Sequence, residues 1–177
     1  MAGSLVMGGG MVQVRVVGIA MDESGQHVVL LGPIDALPGE GRILPIWIGS
    51  LEATSILVAV EGADVPRPMA HDLMRSLLEA MDAQVDKVEV TRIDDGTYYA
   101  EITVTGPAGE RIVDARPSDA IGLAARTGAT IWVADAVLAE AGVADITVGA
   151  DEAEAAQDSI AEFQEFLKDV DPDDFRG

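Results

Sequence analysis

The stretch 114–126, DARPSDAIGLAAR, sets Asp114, Arg116 and Asp119 within six residues. A guanidinium there suits bidentate contact with a phosphate, and equally suits tying down a turn by bonding backbone carbonyls. If Arg111 to Ala115 is a strand, period-two alternation puts Ile112, Asp114 and Arg116 on one face and Val113 and Ala115 on the other. Pro117 ends the ladder and suits the first turn of a helix, with Ser118 or Asp119 placed to satisfy its free N–H groups. The three side chains are therefore expected to gather at one strand-to-helix corner, followed by a small apolar helix, Ala120 to Arg126, that reads as buried. His71 is a further candidate. An imidazole can move a proton near neutral pH or bind phosphate when charged, although a lone histidine at the edge of an apolar stripe more often hydrogen-bonds a neighbour.

The elements that must position these groups are legible as alternating runs. Residues 1–10, MAGSLVMGGG, read as a flexible leader, and a strand opens at Met11. Asp22-Glu23-Ser24-Gly25 turns the chain into a second strand, His27 to Leu31, and Ile43 to Ile48 forms a third in which Pro45 suggests an edge or a bulge. Ser50 can cap a helix running from Leu51 to about Val60, with Glu52 in its first turn; that helix is apolar nearly all round, which argues for burial. A helix over Met69 to Met81 carries Ala70, Leu73, Met74, Leu77, Leu78 and Met81 in one stripe, with His71 at its border and Asp72, Arg75 and Glu79 pointing away.

The strand pattern then returns as Val85 to Ile93, Tyr98 to Thr105 and Arg111 to Ala115, and the helix at 117–126 closes it. Gly32-Pro33 matches Gly106-Pro107, and Glu52-Ala53 matches Asp119-Ala120. The expected fold is thus α+β, an internally duplicated strand–strand–strand–helix unit with additional helices. Duplication could bring Glu52 and Asp119 together across a pseudo-twofold axis. A short strand at Thr130 to Val133 and a short helix at Val137 to Ala141 follow. The domain is expected to span 11–143, and 144–177 reads as an acidic C-terminal helical segment with Ile160, Phe163, Leu167 and Val170 on one side.

Composition limits the chemistry. A length of 177 residues and 49% hydrophobic content suit one domain with a real core. No window approaches the roughly 18 apolar residues that span a membrane, and a cytoplasmic protein is expected. Without cysteine there are no disulfides, thiolate nucleophiles or Cys-type zinc sites, and His27 and His71 alone nearly exclude a multi-histidine metal site. Net charge is −20, of which −11 falls after residue 134 and −9 before it. With no basic run, non-specific affinity for a phosphate backbone should be weak, so nucleic-acid chemistry would need a metal ion or a few well-placed arginines. The sequence has no GxxxxGK[ST], no GxGxxG after a strand and no GxSxG elbow, which sets aside nucleoside triphosphatase, dinucleotide and serine-hydrolase readings.

Three segments in order, LPIWIGSLEA (44–53), RPMAHDLM (67–74) and VDARPSDAIGLAAR (113–126), resemble the bifunctional nuclease family, whose name reflects DNase and RNase activity. The resemblance covers roughly residues 11–143. It implies an α+β domain and hydrolysis of phosphodiester bonds of DNA or RNA, assisted by Mg²⁺ or Mn²⁺ held by carboxylates. The acids within the matched segments are Glu52, Asp72, Asp114 and Asp119, the candidate metal ligands. Asp114, Asp119 and His71 are the candidate catalytic groups, and Arg67 and Arg116 the candidate substrate-binding ones.

Each has an ordinary alternative. Glu52 and Asp119 could simply favour helix N-termini, Asp114 could pair with Arg116 or Arg67, and Asp72 could be solvated surface. Trp47, Tyr98, Tyr99 and Trp132 could stack on bases, though strand packing is their ordinary role. A second reading is a non-catalytic regulatory or protein-interaction module. Under either, two strand edges and a Met-rich helix are much for one small domain to cover, so a homo-oligomer, a dimer first, is expected.

Overall fold

A computed structural model describes residues 9–37 and 39–145. The expected leader up to residue 8 and the acidic segment from residue 146 lie outside the described residues. The chain is α+β. Among the described residues eight strands, β1 (Met11–Met21), β2 (His27–Pro33), β3 (Arg42–Ile48), β4 (Gln84–Asp94), β5 (Thr97–Gly106), β6 (Gly109–Ala115), β7 (Thr130–Ala134) and β8 (Val143–Ala144), are joined by four helices. These are α1 (Ser50–Glu61), α2 (Ala70–Ala80), α3 (Pro117–Thr127) and α4 (Asp135–Ala141).

The strands form one sheet in the order β6-β5-β4-β7-β1-β2-β3-β8. Two antiparallel meanders, β1-β2-β3 and β4-β5-β6, lie on either side of β7, which runs parallel to β4 and antiparallel to β1. Apolar residues at alternate positions face one side: Val29, Leu31, Leu44, Val88, Val90, Ala100 and Val133 join a single core with Ile56 of α1, Ile121 of α3 and Val137 of α4. The sheet twists and curls enough to bring distant strands together. β3 and β5 stand far apart in strand order, yet Tyr98 Oη donates to the Pro45 carbonyl across 3.2 Å.

The helices depart from expectation in informative ways. α3 is the central one, with Pro117, Ser118 and the run Ala120–Ala124 buried, as its small side chains require for close approach. α1 buries only Ala53, Ser55 and Ile56, and leaves Leu51 and Val60 exposed. Neither α1 nor α3 takes the expected side-chain cap: Ser50 and Ser118 lie inside their helices, and the caps are Gly49 and Arg116, without a capping side-chain bond. α2 is turned the other way from a core helix. Its buried residue is His71, while Leu73 and Leu77 are each 54% exposed, beside exposed Met74 and Met81.

A candidate site where three helices meet beside a groove

Strand alternation explains why the expected corner divides. Asp114 pairs across the ladder with Glu101, and Ala115 with Ala100, a core residue. Asp114 is therefore on the outer face of the sheet, the face away from the helices. The strand ends at Ala115. Arg116 then takes the extended cap conformation of α3, φ −69° and ψ 143°, and alternation no longer governs where its side chain goes.

It goes to the carboxylates. Arg116 Nε donates to Asp119 Oδ2 at 2.9 Å, and a terminal nitrogen of the same guanidinium lies 3.1 Å from Glu52 Oε1. The first turns of α1 and α3 thus meet at one arginine, whose side chain remains 65% exposed. Glu52 in turn lies over Gly49, where any Cβ would collide with its carboxylate.

Asp119 also reaches inward. Its Oδ1 is 3.0 Å from His71 Nε2, and His71 Nδ1 is 2.7 Å from Ser55 Oγ. His71 is 4% exposed and Ser55 is equally enclosed. Burial works to raise the Asp119 carboxyl, but hydrogen bonds from Arg116 and His71 outweigh it and hold the group below the usual carboxylate range. A carboxylate can only accept, so Nε2 carries a proton, and in the neutral ring Nδ1 accepts from the Ser55 hydroxyl. The side chains form one relay, Ser55 to His71 to Asp119 to Arg116 to Glu52, linking α1, α2 and α3.

A second tie fixes α2. Asp72 Oδ2 accepts from the Met69 backbone N–H at 2.8 Å, and Oδ1 accepts from Arg126 Nε at 2.7 Å. Arg126 is 3% exposed along its side chain and also donates to the Gly122 carbonyl. Burial again pushes the Asp72 carboxyl up, and the Met69 N–H and Arg126 together hold it down. Asp72 is thus a structural partner of Arg126 on the side of α2 that faces α3, rather than solvated surface. Arg67 is exposed in the loop between α1 and α2.

Arg116, Pro117 and Ser118 form one wall of an open groove of about 510 Å³. Ile46, Trp47, Ile48 and Gly49 form another, and Gly96, Thr97, Tyr98 and Gln26 complete it. The groove lies where the two distant strands of the coiled sheet come together.

Of the sequence-predicted residues, the structure brings together Glu52, His71, Arg116 and Asp119. It holds Asp72 in a separate ion pair and leaves Asp114 and Arg67 apart from the cluster. Among the described residues, no group of three or more His, Asp or Glu side chains could hold a metal ion. The four acids therefore do not form one cage. The pair that converges is Glu52 with Asp119, and Mg²⁺ often binds through just one or two protein carboxylates, completing its shell with water and substrate phosphate oxygens. Sequence reasoning missed Ser55 and Arg126. A lone Thr54-Ser55 pair inside an otherwise apolar helix was the available signal for the first, and its place in the last turn of α3 for the second.

Residues 36–146 match the bifunctional nuclease domain. The chain belongs to the bifunctional nuclease domain family. It is 39% identical over 166 residues to an uncharacterized protein of Mycobacterium tuberculosis, covering 93% of this chain and 98% of that one. It is 30% identical over 98 residues to Bifunctional nuclease 1 of Arabidopsis thaliana, covering 54% of this chain and 30% of the plant protein. The figure for Bifunctional nuclease 1 of Oryza sativa subsp. japonica is 29% over 115 residues, with 63% and 34% covered. The matched region of the bifunctional nuclease domain takes in the whole relay and all but Gln26 of the groove lining. No helix among the described residues is long and apolar enough to cross a membrane.

Proposed function

We propose that this chain is a nuclease that hydrolyses phosphodiester bonds of DNA or RNA at the groove beside Arg116, with assistance from Mg²⁺ or Mn²⁺. The observation that carries the reading is Arg116 itself: an exposed guanidinium, gripped by Glu52 and Asp119, lining an open groove of about 510 Å³. Its planar fork suits a phosphodiester, and its two carboxylate partners fix where that fork points.

Charge supports a cation at the same place. The carboxylates of Glu52 and Asp119 with the Arg116 guanidinium sum to −1, so a phosphate approaching them is repelled unless further positive charge arrives with it. Glu52 and Asp119 would hold the metal, which when bound offsets that charge and lowers the pKa of a coordinated water. His71 is too enclosed to meet a polynucleotide. It acts as a positioning residue, holding the Asp119 carboxylate ionised and oriented, with Ser55 fixing the imidazole ring.

The reading includes assembly of identical copies through α2, because its exposed Leu73, Met74, Leu77 and Met81 lie in one stripe on the side turned from the core. It also keeps the cytoplasmic location expected from the sequence, which cell fractionation checks.

The test is cleavage of labelled DNA and RNA by purified protein in Mg²⁺, Mn²⁺ or EDTA, beside Asp119→Ala and Asp114→Ala. Asp119→Ala is expected to lower metal-dependent cleavage on the order of 10²-fold or more. Asp114→Ala, on the far face of the sheet, is expected to stay within about threefold of the parent. Equal loss in both variants would move the site away from Arg116, and cleavage that survives EDTA would remove the metal from the reading.

A further inference from the structure

Trp47 is the penultimate residue of β3 and is 53% exposed, an unusual state for an indole, whose large apolar surface is normally buried. Its register partner is Val28, and alternation puts it on the face opposite Ile46 and Ile48, at the outer lip of the groove that Arg116 also lines. The ring is nevertheless held. Its Nε1–H donates to Asp22 Oδ2 at 2.9 Å. Asp22 Oδ1 accepts from the Ser24 N–H at 2.9 Å, the Ser24 hydroxyl at 2.6 Å and the Gln26 N–H at 2.9 Å, so the anchor is itself fixed by the β1–β2 turn. These bonds, led by that from the Ser24 side chain, hold the Asp22 carboxyl at about 2, and the anchor is a charged acceptor across the working pH range.

The other candidate rings are engaged elsewhere. The Arg92 guanidinium lies over Tyr99, 3.5 Å from its centroid. Tyr98 is half-buried and its hydroxyl is spent on Pro45, and Trp132 Nε1 donates to Thr130 Oγ1 within its own strand. Trp47 alone of these combines large exposure with a fixed polar edge, and its ordering cost is met before any ligand arrives.

We propose that Trp47 is a base-stacking platform and that the groove takes single-stranded nucleic acid, DNA or RNA, in preference to duplex. This deepens the nuclease reading and rests on it for the identity of the ligand. A duplex hides its base faces in its own stack, whereas an unpaired base can lie on an indole while its phosphate meets Arg116 in the same groove. Charge points the same way. A duplex presents about one phosphate charge per 1.7 Å and a single strand fewer per unit length, so a chain of net charge −20 repels the duplex more.

The experiment uses the full chain carrying Trp132→Phe, which leaves Trp47 as its one indole, with Ca²⁺ replacing Mg²⁺ so that strands survive. Its fluorescence is followed on addition of a single-stranded oligonucleotide, an abasic strand of equal length and a blunt duplex, and cleavage by the same preparation is measured separately in Mg²⁺. The single strand is expected to quench Trp47 and the abasic strand to leave it unchanged. Trp47→Ala is expected to weaken single-strand binding about 5- to 150-fold, with part recovered in Trp47→Phe and folding checked by circular dichroism. Single-strand binding with unquenched Trp47, or equal affinity in Trp47→Ala, overturns the stacking proposal while cleavage keeps the nuclease reading. Quenching without cleavage in any metal supports stacking and overturns the nuclease reading.

Discussion

The His71 imidazole lies against the bare backbone of Gly122: a Cβ added there would come within 2.9 Å of His71 Cε1 and 3.0 Å of Nδ1. Both nitrogens of that ring are committed, to Asp119 and to Ser55, so it has nowhere to retreat without breaking the relay. Gly122→Ala is therefore expected to cost about 1–3 kcal/mol by overpacking and to lower kcat more than it raises KM. Thermal unfolding beside steady-state cleavage measures both. Unchanged kcat in a folded variant would show that His71 does not position Asp119.

The lowered Asp119 carboxyl gives stability a defined pH dependence. A carboxyl whose folded pKa lies below its unfolded value, about 3.9, contributes stability that is complete above that value and is lost as pH falls through the folded pKa. Asp72 acts in the same direction. Urea midpoints should hold above about pH 5 and fall as pH drops from there to about 2 in the parent, and fall less in Asp119→Asn, which has no such proton to take up.

Arg126 and Asp72 form the enclosed tie between α2 and α3. Truncating the arginine leaves Asp72 partly buried with its main charge partner gone, and Arg126→Met is expected to destabilise by about 3 kcal/mol. The double variant Asp72→Asn with Arg126→Met should be less destabilised than the sum of the two single changes. Chemical denaturation of all four proteins makes the cycle, and strict additivity would mean the pair is not coupled.

Assembly through α2 is tested by Leu73→Glu with Leu77→Glu. Both side chains face outward, so the monomer fold should tolerate the charges. Size-exclusion chromatography with light scattering should register a shift to the monomeric mass. A parent that is already monomeric across the micromolar range would remove the proposed interface.

Much of the fold was legible because valines and isoleucines at alternate positions declare a strand face directly, and the turns at Asp22–Gly25 and Asp94–Gly96 separate them. The α+β class and each strand of the two meanders followed from that. The site was legible in part. Glu52 and Asp119 can be paired from matching positions in two helices, but alternation continued to Arg116 sets it with Asp114, although β6 ends at Ala115. Ser55 was hidden because α1 reads as apolar on every side. The stripe of α2 was visible, yet periodicity gives only the existence of an apolar face, and here the polar face packs inward through His71 and Asp72. Trp47 carried no signal of its exposure, since an indole in a strand has the same letter whether covered or open.

The clasp between Tyr98 and the Pro45 carbonyl has a mechanical meaning. The groove's opposing walls are drawn from strands that stand far apart in one continuous sheet, so its width is not a local dimension. It combines that hydrogen bond with the rotation accumulated over the strands between β5 and β3. A change of a few degrees in β4, β7 or β1, well away from Arg116, would be delivered to the groove as a change in span, and the sheet works as the spring that sets its jaw.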